Sequence, residues 1–529
     1  MLDQMRVSYV HWRQSKAKAA PAARAGRRWP LLAALLGVVA CCGAPPEPVR
    51  VARLAYQHEM VSLDPHGQND AVTGSILSAV YEPLVNVSST QAPRPCLAVE
   101  WSQPDPLTWR LRLRDGVLFH DGRPLSVDDV IASFERVRFD YGLTLATYLD
   151  QVTEVRRVTG QDGMVDIVTR TPSPRLLRRL AMVAIAPQYL DPQRPLGTGP
   201  YRWVSGRERG PVVLQRWTRY WGEAPAMDEV HISFVADDAA LAALVSAEEL
   251  DVLSGVALDS TRSWRLPASW RLVQIPSSLT MLLGMNVERP PLHDPRVREA
   301  IDLAIDRRRL VEVSFPAGGA EPAVAIVPPV GDTPRTGARQ PTADRARARA
   351  LLAEARVEPG TAIGLQHLGV PAEVVAFLTS ELAAVGLQIE PKQTPYGGRY
   401  RRFAAAENAI FAFGWNFRFG DPANFLDSIV HSRDAGRRLG LLNGAGYSSP
   451  EVDGWIESAS REPDTSRHAE LLQRALDRVD ADRPYVPLYY YGRAALVRRP
   501  FAIDVEPGLL VFPQAIRFES DRPESRPAP

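Results

Sequence analysis

The chain is poor in cysteine and in lysine, and its N-terminal apolar run is too short to cross a membrane. The three cysteines, Cys41, Cys42 and Cys96, exclude a disulfide framework and a zinc site made of two cysteine pairs. Beyond residue 40 the single lysine is Lys392, so arginine carries nearly all the positive charge, which reflects genome composition more simply than phosphate binding. The apolar run at 31–39 falls well short of the roughly 20 residues that span a bilayer.

Sequence patterns of common enzymes are also missing. There is no Gly-x-Ser-x-Gly elbow, no His-Glu-x-x-His pair, and no phosphate-binding glycine loop that ends in Lys-Ser or Lys-Thr. The nine histidines are scattered without metal-ligand spacing. The sequence therefore predicts no catalytic residues, no metal and no cofactor.

The N-terminus has the layout of a bacterial lipoprotein signal. A basic segment with Arg24, Arg27 and Arg28 precedes the apolar run, which closes on Val39-Ala40-Cys41. We predict a signal peptide at residues 1–40 and lipidation of Cys41. An ordinary cleaved secretory signal is the alternative, whereas Trp29-Pro30 disfavours a twin-arginine signal. The rest of the chain would then be periplasmic or extracytoplasmic, anchored by lipid to a bacterial membrane.

Removal of the signal makes the chain slightly acidic. Residues 1–40 contain seven basic residues and one acidic residue, so 55 basic residues then face 60 acidic ones. This balance argues against a nucleic-acid partner. The remaining length of about 490 residues exceeds one hydrophobic core and predicts two or more lobes. A monomer is expected, with a tether at residues 41–50 and a disordered tail at 519–529.

Alternating and apolar segments predict a mixed α/β protein. Trp109, Leu111 and Leu113 alternate with arginines, and Asp115-Gly116 then suggests a hairpin with the segment 117–119. Further strands are predicted at 212–217, 230–235, 279–286, 409–415 and 486–491.

Capping residues mark several helices. Helices are predicted after Ser126, Asp294 and Ser449, the last two with proline in the first turn, and a further helix is predicted at 465–480. The two glycines of Gly197-Thr198-Gly199-Pro200 predict a tight turn, because glycine tolerates positive φ.

Motifs in a fixed order carry a resemblance to a known family. The sequence resembles the solute-binding proteins of peptide- and nickel-type ABC importers, family 5, including oligopeptide- and dipeptide-binding proteins, from about residue 50 to 515. The motifs that carry it are Tyr81-Glu82-Pro83-Leu84, the segment from Trp109 to Val130, Gly197-Thr198-Gly199-Pro200-Tyr201, Tyr220-Trp221, the segment from Pro290 to Ile301, Gly414-Trp415, Asp421-Pro422, the segment from Tyr447 to Asp453, and Pro484-x-x-Pro487-Leu488.

The resemblance implies an α/β fold with two lobes, as in periplasmic binding proteins, with mixed sheets and an additional smaller domain. We assign the first lobe to 51–90, 195–280 and 492–518, the small domain to 91–194, and the second lobe to 281–491. It further implies a receptor that captures a small peptide-like or other polar solute by hinge closure. Its partner would be the permease subunits of an ABC importer.

One position departs from the peptide-binding pattern of the family. Relatives that bind peptides have an aspartate three residues after the tryptophan of Gly414-Trp415, and it pairs with the amino end of the peptide. Arg418 stands at that position, and two cations would repel each other. We therefore hypothesise that peptides are not captured by their amino end. Arg418 either holds an anionic group or turns away from a pocket that recognises another solute, such as a sugar.

Other ligand-binding residues are predicted around the same motif. Trp415 and Phe417 alternate along a strand end with Gly414 and suit either stacking on a ligand or core packing. The resemblance also places Glu59 and Met60 in a ligand-facing loop. Two other functions stay open: a receptor for a nickel chelate, with His431 as a candidate contact, and a sensing lipoprotein without a transport role.

Overall fold

A computed structural model describes residues 48–521, except 68–69, 89–91, 140–143, 150, 209, 257–263, 317, 330–338, 368–369, 394–408, 418–421, 438 and 506–509. The chain divides into a short unit, Met1–Pro48, and a compact unit, Val49–Pro529, which contains all elements named below. The predicted lipidation residue, Cys41, lies outside the described residues. Within the described residues no helix is both long enough and apolar enough to cross a bilayer.

A mixed sheet of eleven strands runs through the compact unit. Its order is β10-β11-β12-β1-β13-β19-β14-β18-β16-β17, and β15 pairs separately with β19. The strands are β1 Val51–Tyr56, β10 Tyr201–Ser205, β11 Val212–Arg216, β12 Glu229–Phe234, β13 Val252–Val256, β14 Trp270–Met285, β15 Ala320–Pro322, β16 Thr361–His367, β17 Leu387–Gln393, β18 Ile410–Asn416 and β19 Tyr485–Arg498.

The two longest strands, β14 and β19, connect two lobes. The first lobe surrounds β10, β11, β12, β1 and β13, and the second surrounds β18, β16 and β17. The pairing of β14 with β19 shifts register midway, so that Ile275 lies opposite Arg493 but Leu279 opposite Tyr491. The predicted lobe boundaries, 280/281 and 491/492, fall inside these two strands; the division by residue number stays a prediction.

A separate four-stranded sheet, the small sheet, belongs to the predicted small domain. Its order is β5 Ala98–Asp105, β6 Thr108–Leu113, β8 Met164–Thr169 and β7 Val152–Arg157. The alternating residues Trp109, Leu111 and Leu113 are buried, as predicted. The predicted hairpin is wrong, because β5 and β8 already occupy both edges of β6, and Leu118 forms a bridge with Pro124 instead.

Three two-stranded sheets and the helices complete the unit. The sheets pair β2 Glu82–Pro83 with β9 Ala184–Ile185, β3 Val85–Val87 with β4 Pro93–Pro95, and β20 Phe501–Ile503 with β21 Ile516–Phe518. The α-helices are α1 Ala71–Leu77, α2 Val127–Phe139, α3 Leu176–Leu180, α4 Asp238–Ser246, α5 Pro295–Ala304, α6 Arg307–Ser314, α7 Arg345–Glu354, α8 Ala372–Ala383, α9 Ala423–Phe425, α10 Pro450–Arg461 and α11 Thr465–Asp482. A π-helix spans Leu426–Val430, and 3-10 helices span Thr144–Leu149, Pro513–Ala515 and Glu519–Asp521.

Helix caps follow the sequence prediction with one exception. Asp294 accepts from the N–H of Arg296 at the start of α5, and Ser449 accepts from the N–H of Val452 at the start of α10. At α2 the hydroxyl of Ser126 donates to the carboxylate of Asp129, at 2.6 Å. The exception is α2, where the Asp129 carboxylate also accepts from the N–H of Ser126. Asp129, and not the Ser126 hydroxyl, is therefore the capping acceptor.

Residues 519–521, which were predicted to belong to a disordered tail, contact the rest of the compact unit. Asp521 pairs with Arg50 at 3.1 Å, and Glu519 pairs with Arg271 at 3.3 Å. These contacts make Glu519–Asp521 part of the folded unit.

Candidate functional site

A large cavity of about 1290 Å³ is lined by both lobes and by residues beside the small sheet. The first lobe contributes the segment after β1 and the start of α1, the second contributes β18, and the middle of β14 and of β19 completes this part of the wall. The small domain contributes residues that follow β8 and residues of α3. Representative lining residues are Gln57, His58, Asp70, Tyr148, Arg170, Arg178, Leu279, Met281, Gly414, Trp415, Tyr489, Tyr491 and Arg493.

Gly414 and Trp415 line the cavity, as the sequence analysis places them. They end β18, whose pairing with β14 sets Gly414 opposite Met281 and Trp415 opposite Thr280. A Cβ at Gly414 would lie 3.3 Å from a methyl group of Leu279, so a larger residue there would require that side chain to shift slightly. Trp415 contacts the ring of Phe425 edge-on, with the ring centroids 5.8 Å apart.

Phe417 is a core residue, so the core-packing alternative holds for this side chain. It is fully buried, its ring lies 5.3 Å from that of Phe425, and its N–H donates to the carbonyl of Ser278 at 2.7 Å. The aromatic ring turns inward because the apolar cluster of the second lobe surrounds it on this side. Arg418, the predicted recognition residue, lies outside the described residues.

Glu59 and Met60 do not belong to the described cavity wall, which corrects their predicted role. Met60 is buried in the core of the first lobe with Tyr56 and Leu63, because its apolar side chain packs there away from water. Glu59 is exposed and is absent from the described lining residues. The two preceding residues, Gln57 and His58, line the cavity instead.

Arginines dominate the charge of the cavity and are the residues that sequence reasoning missed. Eight arginines and five carboxylates line it. Most of these arginines are paired: Arg437 and Arg461 both contact Glu457, at 2.7 and 3.1 Å. No sequence signal distinguished them, because arginine is the general cation of this chain.

Two arginines of the predicted small domain contact residues of the second lobe. Arg179, on α3, forms an ion pair with Asp427 of the π-helix. Arg175 donates to the backbone carbonyl of Glu462, at 2.9 Å, just beyond α10. Both contacts join parts of the chain that lie on opposite sides of the cavity.

Three of the sequence motifs meet at the buried carboxylate of Glu82. The Thr198 hydroxyl donates to it at 2.8 Å, the Tyr220 hydroxyl at 2.7 Å and the Trp221 indole N–H at 2.9 Å. Burial raises the pKa of Glu82, and these donors oppose that rise. Cys96 lies buried beside it, with Sγ 4.0 Å from the carboxylate. The three motifs of the first lobe therefore meet at one buried hydrogen-bonded group, which lies beside Cys96 of the predicted small domain.

The glycines of Gly197-Thr198-Gly199-Pro200 serve close packing, and not positive φ as predicted. A Cβ at Gly197 would lie 1.9 Å from the carbonyl oxygen of Val80, and a Cβ at Gly199 would lie 2.5 Å from that of Ala79. The N–H of Gly199 donates to the Val80 carbonyl at 2.9 Å.

His431 contacts Ser432 and Glu457, and Glu457 itself lines the cavity. Its Nδ1 lies 2.7 Å from the carbonyl of Ser432 and its Nε2 lies 3.4 Å from Glu457, and the side chain is buried. It does not appear among the described lining residues, and its contact with a nickel chelate stays a prediction. Among the residues with described positions, no group of three or more His, Cys, Asp or Glu side chains has the arrangement of a metal site.

Comparison with known proteins places this architecture in a family. Residues 92–437 match the family described as bacterial extracellular solute-binding proteins, family 5 middle. A glutathione-binding protein, GsiB of Pectobacterium atrosepticum, is 28% identical over 484 residues, which cover 87% of this chain and 92% of the relative.

Solved structures share the fold. DppA from Helicobacter pylori in complex with the peptide STSA has a TM-score of 0.78 at 21% identity, with 89% of this chain and 98% of that chain covered. NikZ from Campylobacter jejuni in complex with Ni(L-His) has a TM-score of 0.74 at 19% identity, with 87% and 96% covered. Both confirm the predicted fold with two lobes.

The family consists of substrate-binding receptors, which confirms that the chain is not an enzyme. Such receptors bind small solutes outside the cytoplasm and work with the permeases of ABC importers. The family match extends over more than half of the chain. The chain therefore belongs to family 5 of the bacterial extracellular solute-binding proteins and is a solute-binding receptor of the ABC importer type.

Proposed function

We propose that this receptor is anchored by lipid at Cys41, captures a small peptide-like or other polar metabolite by closing its lobes, and delivers it to an ABC importer. The observation that carries the proposal is the cavity of about 1290 Å³, whose walls come from both lobes and the small domain. A solute inside would lose most of its contact with water, which strengthens each polar contact made to it.

Lobe closure is supported by the way the chain crosses between the lobes. Only a few strands need to bend, because β14 and β19 run through both lobes and their pairing is interrupted between Ile275 and Leu279. An interruption of strand pairing is a site where a hinge costs few hydrogen bonds. The contacts of Arg179 and Arg175 across the cavity would break when the lobes separate.

The wall of the cavity suits a solute with both apolar and polar parts. Leu279, Met281, Trp415 and Tyr489 supply apolar and aromatic surface, and the arginines supply donors for oxygen-rich groups. Relatives named for glutathione and for peptides agree with such a solute.

Arg418 is proposed to exclude capture of a peptide by its amino end. Titration calorimetry with free-amino dipeptides tests this, with wild-type protein and Arg418→Ala. We expect weak binding by the wild type. Tight binding that is unchanged in Arg418→Ala would refute this part of the proposal.

The receptor role is tested by identifying what the protein carries. The protein is expressed from the full-length chain, purified, and analysed by native mass spectrometry with and without mild denaturation. We expect one small molecule per chain that is released on denaturation, and small-angle scattering should show a more compact protein when it is bound.

Neighbouring permease genes would support import, whereas their absence together with a signalling partner would favour sensing. A released nickel complex would show that the cargo is a metal chelate.

The lipid anchor is tested by metabolic labelling with an alkyne fatty acid. We expect label on the wild type and on Cys42→Ala, and none on Cys41→Ala. Label on Cys41→Ala, or no label on the wild type, would contradict the anchor.

A further inference from the structure

Arg493 lies in the cavity wall at the junction between the lobes. It follows Gly492 on β19, at the point where the pairing with β14 shifts register. On the other side of β19, Val256 of β13 pairs with its neighbour Ala494. The residue is therefore held by strands of the first lobe while its side chain faces the space that a solute would fill.

The guanidinium of Arg493 is half-buried, and no partner for it lies among the described residues. Across the described parts of the chain it makes no ion pair and no side-chain hydrogen bond, in contrast to Arg179, Arg437 and Arg461. Its Nη1 lies 3.8 Å from the place where a Cβ would stand at Gly255, a glycine with φ of +75°. Leu510 packs at the same place, with its Cδ2 2.6 Å from that Cβ position, so an apolar side chain lies on this flank of the guanidinium.

A half-buried cation without a partner has lost part of its hydration without compensation. The planar fork of arginine matches a carboxylate, which can accept two parallel hydrogen bonds from it. A bound carboxylate would thus supply the contacts that the protein itself does not provide.

The groups beside Arg493 are not cations that would compete with it for a bound anion. Burial lowers the pKa of His58, and the charge of Arg493 lowers it further, so the ring is mainly neutral at pH 7. Asp70 raises the pKa of His58, and its carboxylate caps α1 by accepting from the N–H of Thr73 at 2.9 Å. Arg170, another arginine of the described cavity wall, is exposed to solvent and differs from Arg493 in burial.

We propose that Arg493 binds a carboxylate of the solute, so that the cargo is a carboxylic acid whose apolar part faces the aromatic side chains of Trp415 and Tyr491. This rests on the proposed receptor function and names the class of its ligand. The planar guanidinium of Arg493 binds the carboxylate at the lobe junction. The remaining cavity arginines are engaged with protein groups or lie in solvent.

The test uses titration calorimetry with the purified protein and two probe pairs. Glutathione is compared with its diethyl ester, and the dipeptide Met-Leu with its carboxyl amide. We expect the wild type to bind at least one free acid at least tenfold more tightly than its blocked form. Arg493→Gln should lose at least tenfold in affinity for that acid and less than twofold for the blocked form.

Two variants separate the fork from net charge and from folding. Arg170→Gln removes the same charge at an exposed position of the same cavity and should change the affinity less than threefold. Arg493→Lys keeps the charge without the fork and should bind the acid with intermediate affinity. Thermal unfolding confirms that each variant is folded; if Arg493→Gln is not, the comparison rests on Arg493→Lys and on the acid-to-ester ratio of the wild type.

Three results would overturn the proposal. Equal binding of the acid by wild type and Arg493→Gln would remove Arg493 from recognition. A wild type that carries or binds only uncharged solutes would refute the ligand class and leave the receptor function intact. A wild type that binds no probe and releases no small molecule in native mass spectrometry would refute both.

Discussion

Arg179 and Asp427 form an ion pair across the cavity, although 248 positions separate them in the chain. Arg179 belongs to α3 beside the small sheet, and Asp427 belongs to the π-helix of the second lobe. Both side chains are largely shielded, at 25% and 13% exposure. The pair links the two sides of the cavity in the compact form.

Loss of this ion pair should favour the open form. A partly exposed pair contributes about 1 kcal/mol, so Asp427→Asn should weaken the affinity for the co-purified solute by about fivefold. A double-mutant cycle with Arg179→Gln, measured by calorimetry, isolates the pair from other effects. Additive losses in the two single variants would show that the pair does not contribute to closure.

Asp302 should be a major contributor to stability. It is buried and accepts from Arg339 at 2.9 Å and from Arg483 at 3.1 Å, and it also pairs with Arg307. Asp302→Asn leaves these arginines without their anion and should cost about 3 to 5 kcal/mol of unfolding free energy in urea titrations. Asp434→Asn, at an exposed pair with Arg437, is the control and should cost about 0.5 kcal/mol. A similar loss in both variants would contradict the prediction.

The same carboxylate should make stability fall in strong acid. Burial by itself would raise the pKa of Asp302, but the charges of Arg307 and Arg339 outweigh burial and lower the pKa to about 2. The contribution is fully present above the unfolded pKa of about 3.9 and is lost as the pH falls to about 2. Urea titrations at pH 5, 4 and 3 should show a decline in wild type that is smaller in Asp302→Asn.

His120 should make stability depend on pH in a milder range. Its Nε2–H donates to the carbonyl of Gly199 at 2.9 Å, and its Nδ1 accepts from the N–H of Gly197 at 3.4 Å, which requires a neutral ring. Burial lowers the pKa of His120 to about 4. The unfolded chain takes up this proton near pH 6.5 and the folded chain does not, so stability falls as the pH decreases from about 6.5 to 4.

Thermal unfolding across that range checks the role of the ring. His120→Gln should be less stable than wild type at pH 7.5 and should lose less stability between pH 6.5 and 4. His231→Gln, at a partly exposed ring of β12, controls for removal of a histidine in general. An unchanged pH slope in His120→Gln would exclude this histidine as the cause.

Gly197→Ala should disrupt the junction at Glu82. The new Cβ would lie 1.9 Å from the carbonyl oxygen of Val80, a backbone atom that cannot move alone. We expect a loss of about 3 kcal/mol in urea titrations. Gly210→Ala places its Cβ where no heavy atom lies within 4 Å and should change stability by less than about 0.5 kcal/mol. Equal stability of Gly197→Ala and wild type would mean that the turn can shift.

Local signals in the sequence predicted much of the fold. The caps at Asp294 and Ser449 and the buried side chains of β6 were predictable, because capping and alternation act over a few neighbouring residues. The partners of β6 were not, since strand pairing depends on which distant segments reach its edges, and β5 and β8 do.

The candidate site divides in the same way. Gly414 and Trp415 were recognised from their motif and line the cavity, whereas Phe417, only two residues further, turns into the core. The apolar cluster of the second lobe determines which way the side chain points at this strand end. A sequence motif contains no information about that cluster.

By itself the sequence determined the family, the class of fold, the helix caps and the receptor role, because these follow from local patterns and from the order of motifs. The tertiary structure decided which arginines face the cavity and which of them are paired. Asp427 meets Arg179 only after distant segments pack together, and Arg493 comes to line the cavity in the same way. The physical reason is that charge pairing depends on distances of a few ångströms between groups far apart in the chain, which no local pattern encodes.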